Sequence, residues 1–164
     1  RQIEFLPGAV EGLSQMVAMG LGLVVVTNQS AIGRGFFDEA HLDSIHRRLC
    51  ELLETEGIHL EGIYFCPHTP EDDCSCRKPK PGLIERAAGD LDFDLQVSFV
   101  IGDKPADIEM GRRVRATTFL VGTGYGADFV GDPAVSPDYL ADDLSGVAQT
   151  IQRLLAVSDA RVNG

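Results

Sequence analysis

Hydrophobic residues recur along the chain in two alternating patterns. Near the amino terminus Val10, Leu13 and Val17 follow one another at the spacing of an α-helix, and residues 21–26 are then an apolar run rich in β-branched side chains. A short run that is apolar on both faces is typical of a strand buried inside a parallel sheet. This first segment therefore predicts a helix followed by a buried strand.

The same alternation continues to the carboxyl terminus. Strands are predicted over residues 21–26, 62–65, 98–101 and 117–121, and helices over residues 7–20, 81–88, 107–114 and 145–156, with a further long helix capped by Asp38. Strands and helices in alternation imply right-handed crossovers, and hence a doubly wound, mostly parallel, Rossmann-like α/β sheet. In such sheets ligands bind beyond the carboxyl ends of the strands, so the residues after each strand are the first candidates for a site.

Length and charge restrict the classes of protein that this chain can be. Its 164 residues suffice for one domain with a substantial core, and its net charge of −11 disfavours non-specific binding to nucleic acid or to an anionic membrane. No apolar run approaches the ~20 residues of a membrane-spanning helix, and no signal peptide is recognisable. We therefore expect residues 1–164 to form a single cytoplasmic core domain, monomeric, with neither nucleic acid nor membrane as a partner.

Polar and charged side chains collect after three of the predicted strands. They are Thr27 and Asn28 after the first, Arg77 and Lys78 in the loop after the second, and Asp103, Lys104 and, one helical turn further on, Asp107 after the third. Thr27 and backbone N–H groups can hydrogen-bond phosphate oxygens, Lys78 can neutralise their charge, and Asp103 can hold a hard cation. Each residue alone would be interpreted as a turn or a surface charge. Together they predict a phosphoryl group bound beside a divalent metal.

The loop after the second predicted strand also carries a cluster of metal-ligand residues. Cys66-x-His68 is followed by Cys74-x-Cys76, which supplies three thiols and one imidazole. Four such ligands with no spare position are typical of a closed, tetrahedral structural Zn²⁺ site. The alternatives are a Cys66–Cys74 disulfide and free surface thiols. Because the last cysteine adjoins the cationic pair at 77–78, a zinc ion here would hold that pair in place.

Three segments resemble the motifs of a known superfamily. Residues 25–30 (VVTNQS), 76–82 (CRKPKPG) and 101–104 (IGDK) are similar to motifs two, three and four of the haloacid dehalogenase superfamily. Over residues 3–124 the chain resembles the D-glycero-D-manno-heptose 1,7-bisphosphate phosphatases and the related histidinol-phosphate phosphatases of that superfamily. The resemblance implies a haloacid dehalogenase-like fold. No long insertion follows the first motifs, so no large cap domain is expected.

The resemblance also implies a role for each residue at the strand ends. By it, Thr27 and Lys78 bind the transferring phosphoryl group, and Asp103 is a ligand of the catalytic Mg²⁺. Arg77, Lys104 and Asn28 are implied to orient the substrate. Asp107 is implied to lie behind the metal ligand, next to it and not bound to the metal itself. The heptose bisphosphate phosphatases carry the same Cys-x-His…Cys-x-Cys arrangement in this loop, which strengthens the zinc interpretation.

The first motif of the superfamily, an Asp-x-Asp at the end of a strand, is not found in these residues. The sequence begins at Arg1, in what resembles the loop after that strand. Asp92 and Asp94 have the required spacing, but they lie in a polar connection and are interpreted as turn residues. We therefore expect the nucleophile on an upstream strand, residues 1–164 alone to be inactive, and a strand-wide gap lined by Val24, Val26 and Val100.

The expected function is a Mg²⁺-dependent phosphomonoesterase acting on a small phosphorylated sugar, in first place on the 7-phosphate of D-glycero-D-manno-heptose 1,7-bisphosphate. It would proceed through an aspartyl-phosphate. Histidinol phosphate is the alternative substrate in the same enzyme class, whereas a nucleic-acid 3′-phosphatase is disfavoured by the charge. A zinc-stabilised phosphate-binding module without catalysis is the alternative from another class.

Overall fold

The computed structural model describes residues 3–163, so Arg1 and the expectation attached to it lie outside the described residues. Within this range the chain forms six α-helices and five strands in the order α1 (Ala9–Ala18), β1 (Val24–Asn28), α2 (Ser30–Gly33), α3 (Glu39–Thr55), β2 (Gly62–Cys66), α4 (Gly82–Leu91), β3 (Phe99–Gly102), α5 (Pro105–Arg113), β4 (Thr117–Val121), β5 (Tyr139–Ala141) and α6 (Leu144–Val162). The predicted alternation of strand and helix is therefore confirmed.

The five strands form two parallel sheets. In one, β1 pairs with β2 so that Asn28 lies opposite Cys66, and in the other the order is β3-β4-β5. The polar segments singled out in the sequence lie at or directly after the carboxyl ends of β1, β2 and β3. The site predicted from those segments thus lies on the edge of the sheet where parallel α/β proteins bind ligands.

The edges of β1 and β3 are not paired with each other among residues 3–163. All residues of both strands are only half-buried, although Val24, Val26 and Val100 belong to apolar runs, whereas the central strand β4 is buried from Thr118 to Val121. Apolar strands that stay half-buried at a sheet edge can still pair with a further strand. β1 and β3 therefore belong to separate sheets, and the strand-wide gap expected between them stays a prediction.

The main core lies on the side of the β3-β4-β5 sheet that is covered by α1 and α6. Met16 from α1 and Val147, Ala148 and Ile151 from α6 pack against Phe119 of β4. Helix α6 begins at Asp143, whose Oδ1 accepts a hydrogen bond from the backbone N of Gly146 at 2.9 Å. None of the helices in residues 3–163 is both long and apolar enough to cross a membrane.

Several element boundaries differ from the sequence prediction. Strand β1 begins at Val24 rather than at residue 21, and it runs on through Thr27 and Asn28, which were expected to follow it. The short edge strand β5 was not predicted, since three residues carry no usable periodicity. Helix α6 extends beyond its predicted end to Val162. Boundaries depend on pairing partners that a local pattern does not contain.

The long helix α3 is confirmed, and the apolar face expected for it, with Leu42, Ile45, Leu49 and Leu52, is buried in part. Asp38 caps it as expected, with its Oδ1 accepting a hydrogen bond from the backbone N of His41 at 2.9 Å. Leu42 and Leu53 are buried and Leu49 and Leu52 are half-buried, whereas Ile45 is exposed. The half-buried His46 also contacts the interior, since its ring lies 5.9 Å from that of Phe65 and its pKa is lowered by burial.

Candidate active site and metal centre

The ammonium group of Lys78 lies between the end of β1 and the start of α5. Its Nζ donates hydrogen bonds to Asp107 Oδ1 at 2.6 Å and to the carbonyl oxygen of Val26 at 3.2 Å. The two charged side chains are 14% and 10% exposed. A buried charge of this kind is stable only when it is paired and hydrogen-bonded, so Asp107 fixes the position of the cation.

The backbone of Lys78 is attached to the end of β1 as well. Its N–H donates to Asn28 Oδ1 at 3.0 Å, and Asn28 Nδ2 donates to the carbonyl oxygen of Lys78 at 3.3 Å. These bonds join residues that are 50 positions apart in the sequence. The loop after β2 is therefore held against β1 by one amide side chain.

The start of helix α5 brings Lys104 and Asp107 together beyond the end of β3. Asp107 Oδ2 accepts a hydrogen bond from the backbone N of Lys104 at 3.2 Å, so one carboxylate contacts both the loop after β3 and Lys78. The Lys104 side chain is exposed, and its Nζ lies 4.6 Å from the centre of the Tyr125 ring. Asp107 thus links Lys78 to the start of α5, and its role behind the metal ligand stays a prediction.

The loop that follows β4 contacts Asp103, which sequence reasoning did not anticipate. The backbone N of Tyr125 donates to Asp103 Oδ2 at 3.0 Å. Gly124 has a positive φ of 64°, and a Cβ added there would lie 2.3 Å from the same oxygen. The sequence did contain an indication that this loop belongs to the site, because the glycine-rich segment at 122–126 directly follows a predicted strand.

The side chains of Thr27 and Arg77 form hydrogen bonds outside the group around Lys78. Thr27 is half-buried near the end of β1, and its Oγ1 accepts a hydrogen bond from Gln29 Nε2 at 3.1 Å. The guanidinium of Arg77 donates from Nη1 to the carbonyl oxygen of His68 at 3.3 Å, so it is tied to the cysteine-rich loop. Of the residues predicted from the strand ends, the structure therefore joins Asn28, Lys78, Asp107 and Lys104 by direct contacts, and it connects Asp103 to a different loop.

The four metal-ligand residues converge on one point. The ligand atoms of Cys66, His68, Cys74 and Cys76 all lie within 4.8 Å of one another. The sulfur of Cys76 is 2.9 Å from that of Cys66 and 3.5 Å from that of Cys74. All four cysteines are free thiols, so the alternative of a Cys66–Cys74 disulfide is wrong. Three thiols and an imidazole around one point fit a closed, four-coordinate metal site.

The acidities of two of these thiols diverge. Burial opposes ionisation of Cys74, but hydrogen bonds from the backbone of Arg77 and from neighbouring thiols outweigh it and lower its pKa to about 6. Burial and the hydrogen bonds to Cys66 and Cys74 raise the pKa of Cys76 to about 12. Thiols this close cannot all ionise unless a cation compensates their charge, which is the environment that a metal ion completes.

The remaining Asp-x-Asp segment lies away from these residues. Asp92 has a positive φ of 54° at the end of α4, and Asp94 Oδ1 accepts a hydrogen bond from the backbone N of Gln96 at 2.8 Å. Both side chains are exposed. The interpretation of this segment as a turn is confirmed.

Known proteins resemble the chain in sequence and in fold. The HAD-hydrolase-like family matches residues 75–147. The D-glycero-β-D-manno-heptose-1,7-bisphosphate 7-phosphatase of Pseudomonas aeruginosa is 37% identical over 146 residues, covering 89% of this chain and 82% of the relative. The enzyme of the same name from Pasteurella multocida is 37% identical over 160 residues, with 93% and 86% coverage.

A solved structure agrees with these relatives. The D,D-heptose 1,7-bisphosphate phosphatase of B. bronchiseptica, crystallised with magnesium and phosphate, has a TM-score of 0.83 and 32% identity, covering 90% of this chain and 83% of that one. Together with the parallel strands and the polar residues at the strand ends, these similarities show that the chain is a hydrolase of the haloacid dehalogenase-like class. Within that class, the chain belongs to the family of the D-glycero-β-D-manno-heptose-1,7-bisphosphate 7-phosphatases.

Proposed function

We propose that the chain is the core of a Mg²⁺-dependent phosphomonoesterase that removes the 7-phosphate of D-glycero-D-manno-heptose 1,7-bisphosphate. The observation that carries the proposal is the ammonium group of Lys78, held by Asp107 at the carboxyl ends of the strands. A fixed, mostly desolvated cation is what stabilises the charge that develops on a transferring phosphoryl group. The names of the relatives, and the magnesium and phosphate in one of them, support the substrate class.

The residues at the strand ends have proposed roles in binding the phosphoryl group, the metal ion and the sugar. The hydroxyl of Thr27 and the ammonium of Lys78 would bind the phosphoryl oxygens. The carboxylate of Asp103 would hold Mg²⁺, which when bound supplies further charge neutralisation. Arg77 and Lys104 would orient the sugar and its second phosphate, and Lys104 is the more accessible of the two because its side chain is exposed.

The attacking carboxylate is proposed to come from an upstream Asp-x-Asp strand that enters between β1 and β3. The support is that both strands are half-buried and that, among residues 3–163, each pairs with a strand on one edge only, so that their other edges would accept one more parallel strand. Attack by one Asp on phosphorus would break the bond to the sugar oxygen, which the other Asp of the motif protonates, and leave an aspartyl-phosphate that water then hydrolyses. Residues 1–164 would form one cytoplasmic, monomeric core domain together with that strand.

The cluster of Cys66, His68, Cys74 and Cys76 is proposed to hold a structural Zn²⁺. The donor set fits that ion, and the four positions leave no open one for catalysis. Its part would be mechanical, because Cys76 directly precedes Arg77 and Lys78. Holding this loop keeps both cations near the strand ends.

Replacing Asp103 tests the metal assignment. In the protein that includes the upstream segment, Asp103→Asn is expected to lower kcat by about 10²–10³-fold, since a neutral amide is a poor Mg²⁺ ligand. Zinc content and thermal midpoint should stay unchanged. Asp92→Asn, on the exposed turn, is the matched control and should retain full activity.

The same assay distinguishes the substrates. Release of phosphate from the heptose 1,7-bisphosphate at the lowest KM supports the proposal, and preference for histidinol phosphate would replace its substrate. Near-normal activity of the Asp103 variant at saturating Mg²⁺ would remove Asp103 from the site. Binding of phosphate without turnover of either substrate would identify a phosphate-binding module instead.

A further inference from the structure

The side chain of Asn28 is engaged by a single residue of a distant loop. Its amide oxygen accepts from the backbone N of Lys78 at 3.0 Å, and its amide nitrogen donates to the carbonyl oxygen of the same residue at 3.3 Å. An asparagine amide offers one acceptor and one donor pair, and here one of each meets the backbone of Lys78. The side chain of Asn28 therefore forms, with the backbone of Lys78, a pair of hydrogen bonds like those that a neighbouring strand forms.

This contact fixes the origin of the Lys78 side chain. A lysine side chain has four rotatable bonds, so the position of its ammonium group depends on how firmly both of its ends are held. At the far end, Nζ is bonded to Asp107 Oδ1 and to the carbonyl oxygen of Val26. At the near end, Asn28 holds the backbone. Strand β1 thus contacts Lys78 at both ends, with Val26 at the ammonium group and Asn28 at the backbone.

The location of Asn28 makes it suited to this task. It is the last residue of β1, where it pairs in register with Cys66 of the metal cluster. The strand is a rigid element, whereas the loop at 67–81 has only short turns of its own. Hydrogen bonds from a residue on a strand therefore restrict the motion of the loop that carries the cation.

We propose that Asn28 is a positioning residue for Lys78 rather than a group that orients the substrate. The proposal rests on the charge-stabilising role proposed above for Lys78. Without the amide, the backbone of Lys78 loses both bonds to β1, and the ammonium group is displaced from the transferring phosphoryl group. Displacements of about 1 Å in a catalytic group cost up to about 10²-fold in rate.

The test is a double-mutant cycle in the protein that includes the upstream segment. Asn28→Ala should lower kcat by about 10–100-fold and change KM for the heptose bisphosphate by less than about threefold. In the Lys78→Ala background, the same Asn28→Ala change should have almost no further effect on kcat, because the group that it positions is gone. A residue that binds the sugar directly would raise KM and would act equally in both backgrounds.

A second measurement reports on the contact without turnover. Hydrogen–deuterium exchange at the backbone N–H of Lys78 should become faster in Asn28→Ala, while exchange in β4 and the zinc content remain unchanged. Asn163→Ala, at the exposed end of α6, is the matched control and should change neither exchange nor kcat. Unchanged exchange at Lys78 in Asn28→Ala would overturn the inference, whatever the kinetics.

The outcomes separate the two proposals. If Lys78→Ala retains nearly full kcat, the proposed role of Lys78 fails and the inference fails with it. If Lys78→Ala is strongly impaired but the losses from Lys78→Ala and Asn28→Ala multiply, the proposed function stands and only the positioning role of Asn28 is overturned.

Discussion

At the scale of single residues, the site depends on carboxylates that connect separate segments of the chain. Asp107 is buried at the start of α5, where its two oxygens accept from the ammonium of Lys78 and from the backbone of Lys104. Asp103 accepts from the backbone of Tyr125 in the loop after β4. Each carboxylate therefore joins two segments, and the loss of its charge is expected to affect both.

Removing the charge of Asp107 should destabilise the fold. Asp107→Asn keeps the shape and one acceptor but leaves the buried ammonium of Lys78 without its counter-ion, and breaking one partner of such a pair costs about 3 kcal/mol. Chemical denaturation should show this loss. Glu51→Gln, which breaks the exposed ion pair with Arg48 on α3, is the control and should have little effect. Equal stabilities of the two variants would contradict the structural importance of the buried pair.

Gly124 should be required because of its contact with Asp103. Gly124→Ala places a Cβ at 2.3 Å from Asp103 Oδ2 and at a positive φ, which should displace the carboxylate and raise the Mg²⁺ concentration for half-maximal activity about tenfold. Gly131 also has a positive φ, of 81°, but a Cβ there meets nothing within 4 Å. Gly131→Ala should therefore show a comparable backbone cost, about 1 kcal/mol, with an unchanged Mg²⁺ dependence.

At the scale of elements, the loop between β2 and α4 depends on few internal contacts. Arg77 bonds to the carbonyl oxygen of His68, and Lys80 Nζ bonds to Asp73 Oδ1 and to the carbonyl oxygen of Cys74, at 2.6 and 2.9 Å. These contacts cross the loop beside the metal cluster. Since they connect partly exposed groups, they cannot by themselves hold a segment of this length in one conformation.

Removing one metal ligand should loosen this loop and leave the sheets intact. Cys74→Ala is expected to abolish the binding of about one zinc per chain, because three remaining ligands hold the ion far less tightly. Hydrogen–deuterium exchange should rise over residues 67–81 and not in β4. Cys50→Ala, in α3 outside the cluster, is the matched control and should keep both the zinc and the exchange pattern. A full zinc content in Cys74→Ala would contradict the assignment of this ligand.

At the scale of the whole molecule, the two sheets are the main structural feature. The β3-β4-β5 sheet has a buried central strand and two covering helices, while β1 and β2 have no buried side chain before Cys66. The proposed upstream strand would join the two sheets into one and bury the edges of β1 and β3. The two halves would then stabilise each other through hydrogen bonds as well as apolar contacts.

Addition of the upstream strand to residues 1–164 is therefore expected to increase both stability and activity. Residues 1–164 expressed alone should show no phosphatase activity toward sugar bisphosphates with Mg²⁺, and poor solubility, because the edges of β1 and β3 remain unpaired. The protein with its upstream segment should hydrolyse the substrate and unfold at a higher temperature. Robust hydrolysis by residues 1–164 alone would place the nucleophile among them, and Asp92 and Asp94 would be the first to mutate.

The sequence by itself determined the elements and the chemistry that follow from local patterns. The apolar runs located β2, β3 and β4 to within a residue, Asp38 was recognisable as a cap, and the spacing of Cys66, His68, Cys74 and Cys76 indicated a cluster. These features depend on residues that are close in sequence or repeat with a fixed period, so no knowledge of the fold is needed to recognise them.

Only the tertiary structure decided which of these residues meet. Asn28 and Lys78 are 50 positions apart and Lys78 and Asp107 are 29 apart, and the contact of Tyr125 with Asp103 joins loops after two different strands. The contact of His46 on α3 with Phe65 of β2 was likewise decided by the tertiary structure. The physical reason is that crossover connections bring distant strand ends together, and the resulting hydrogen bonds depend on ångström-scale distances that no local pattern encodes.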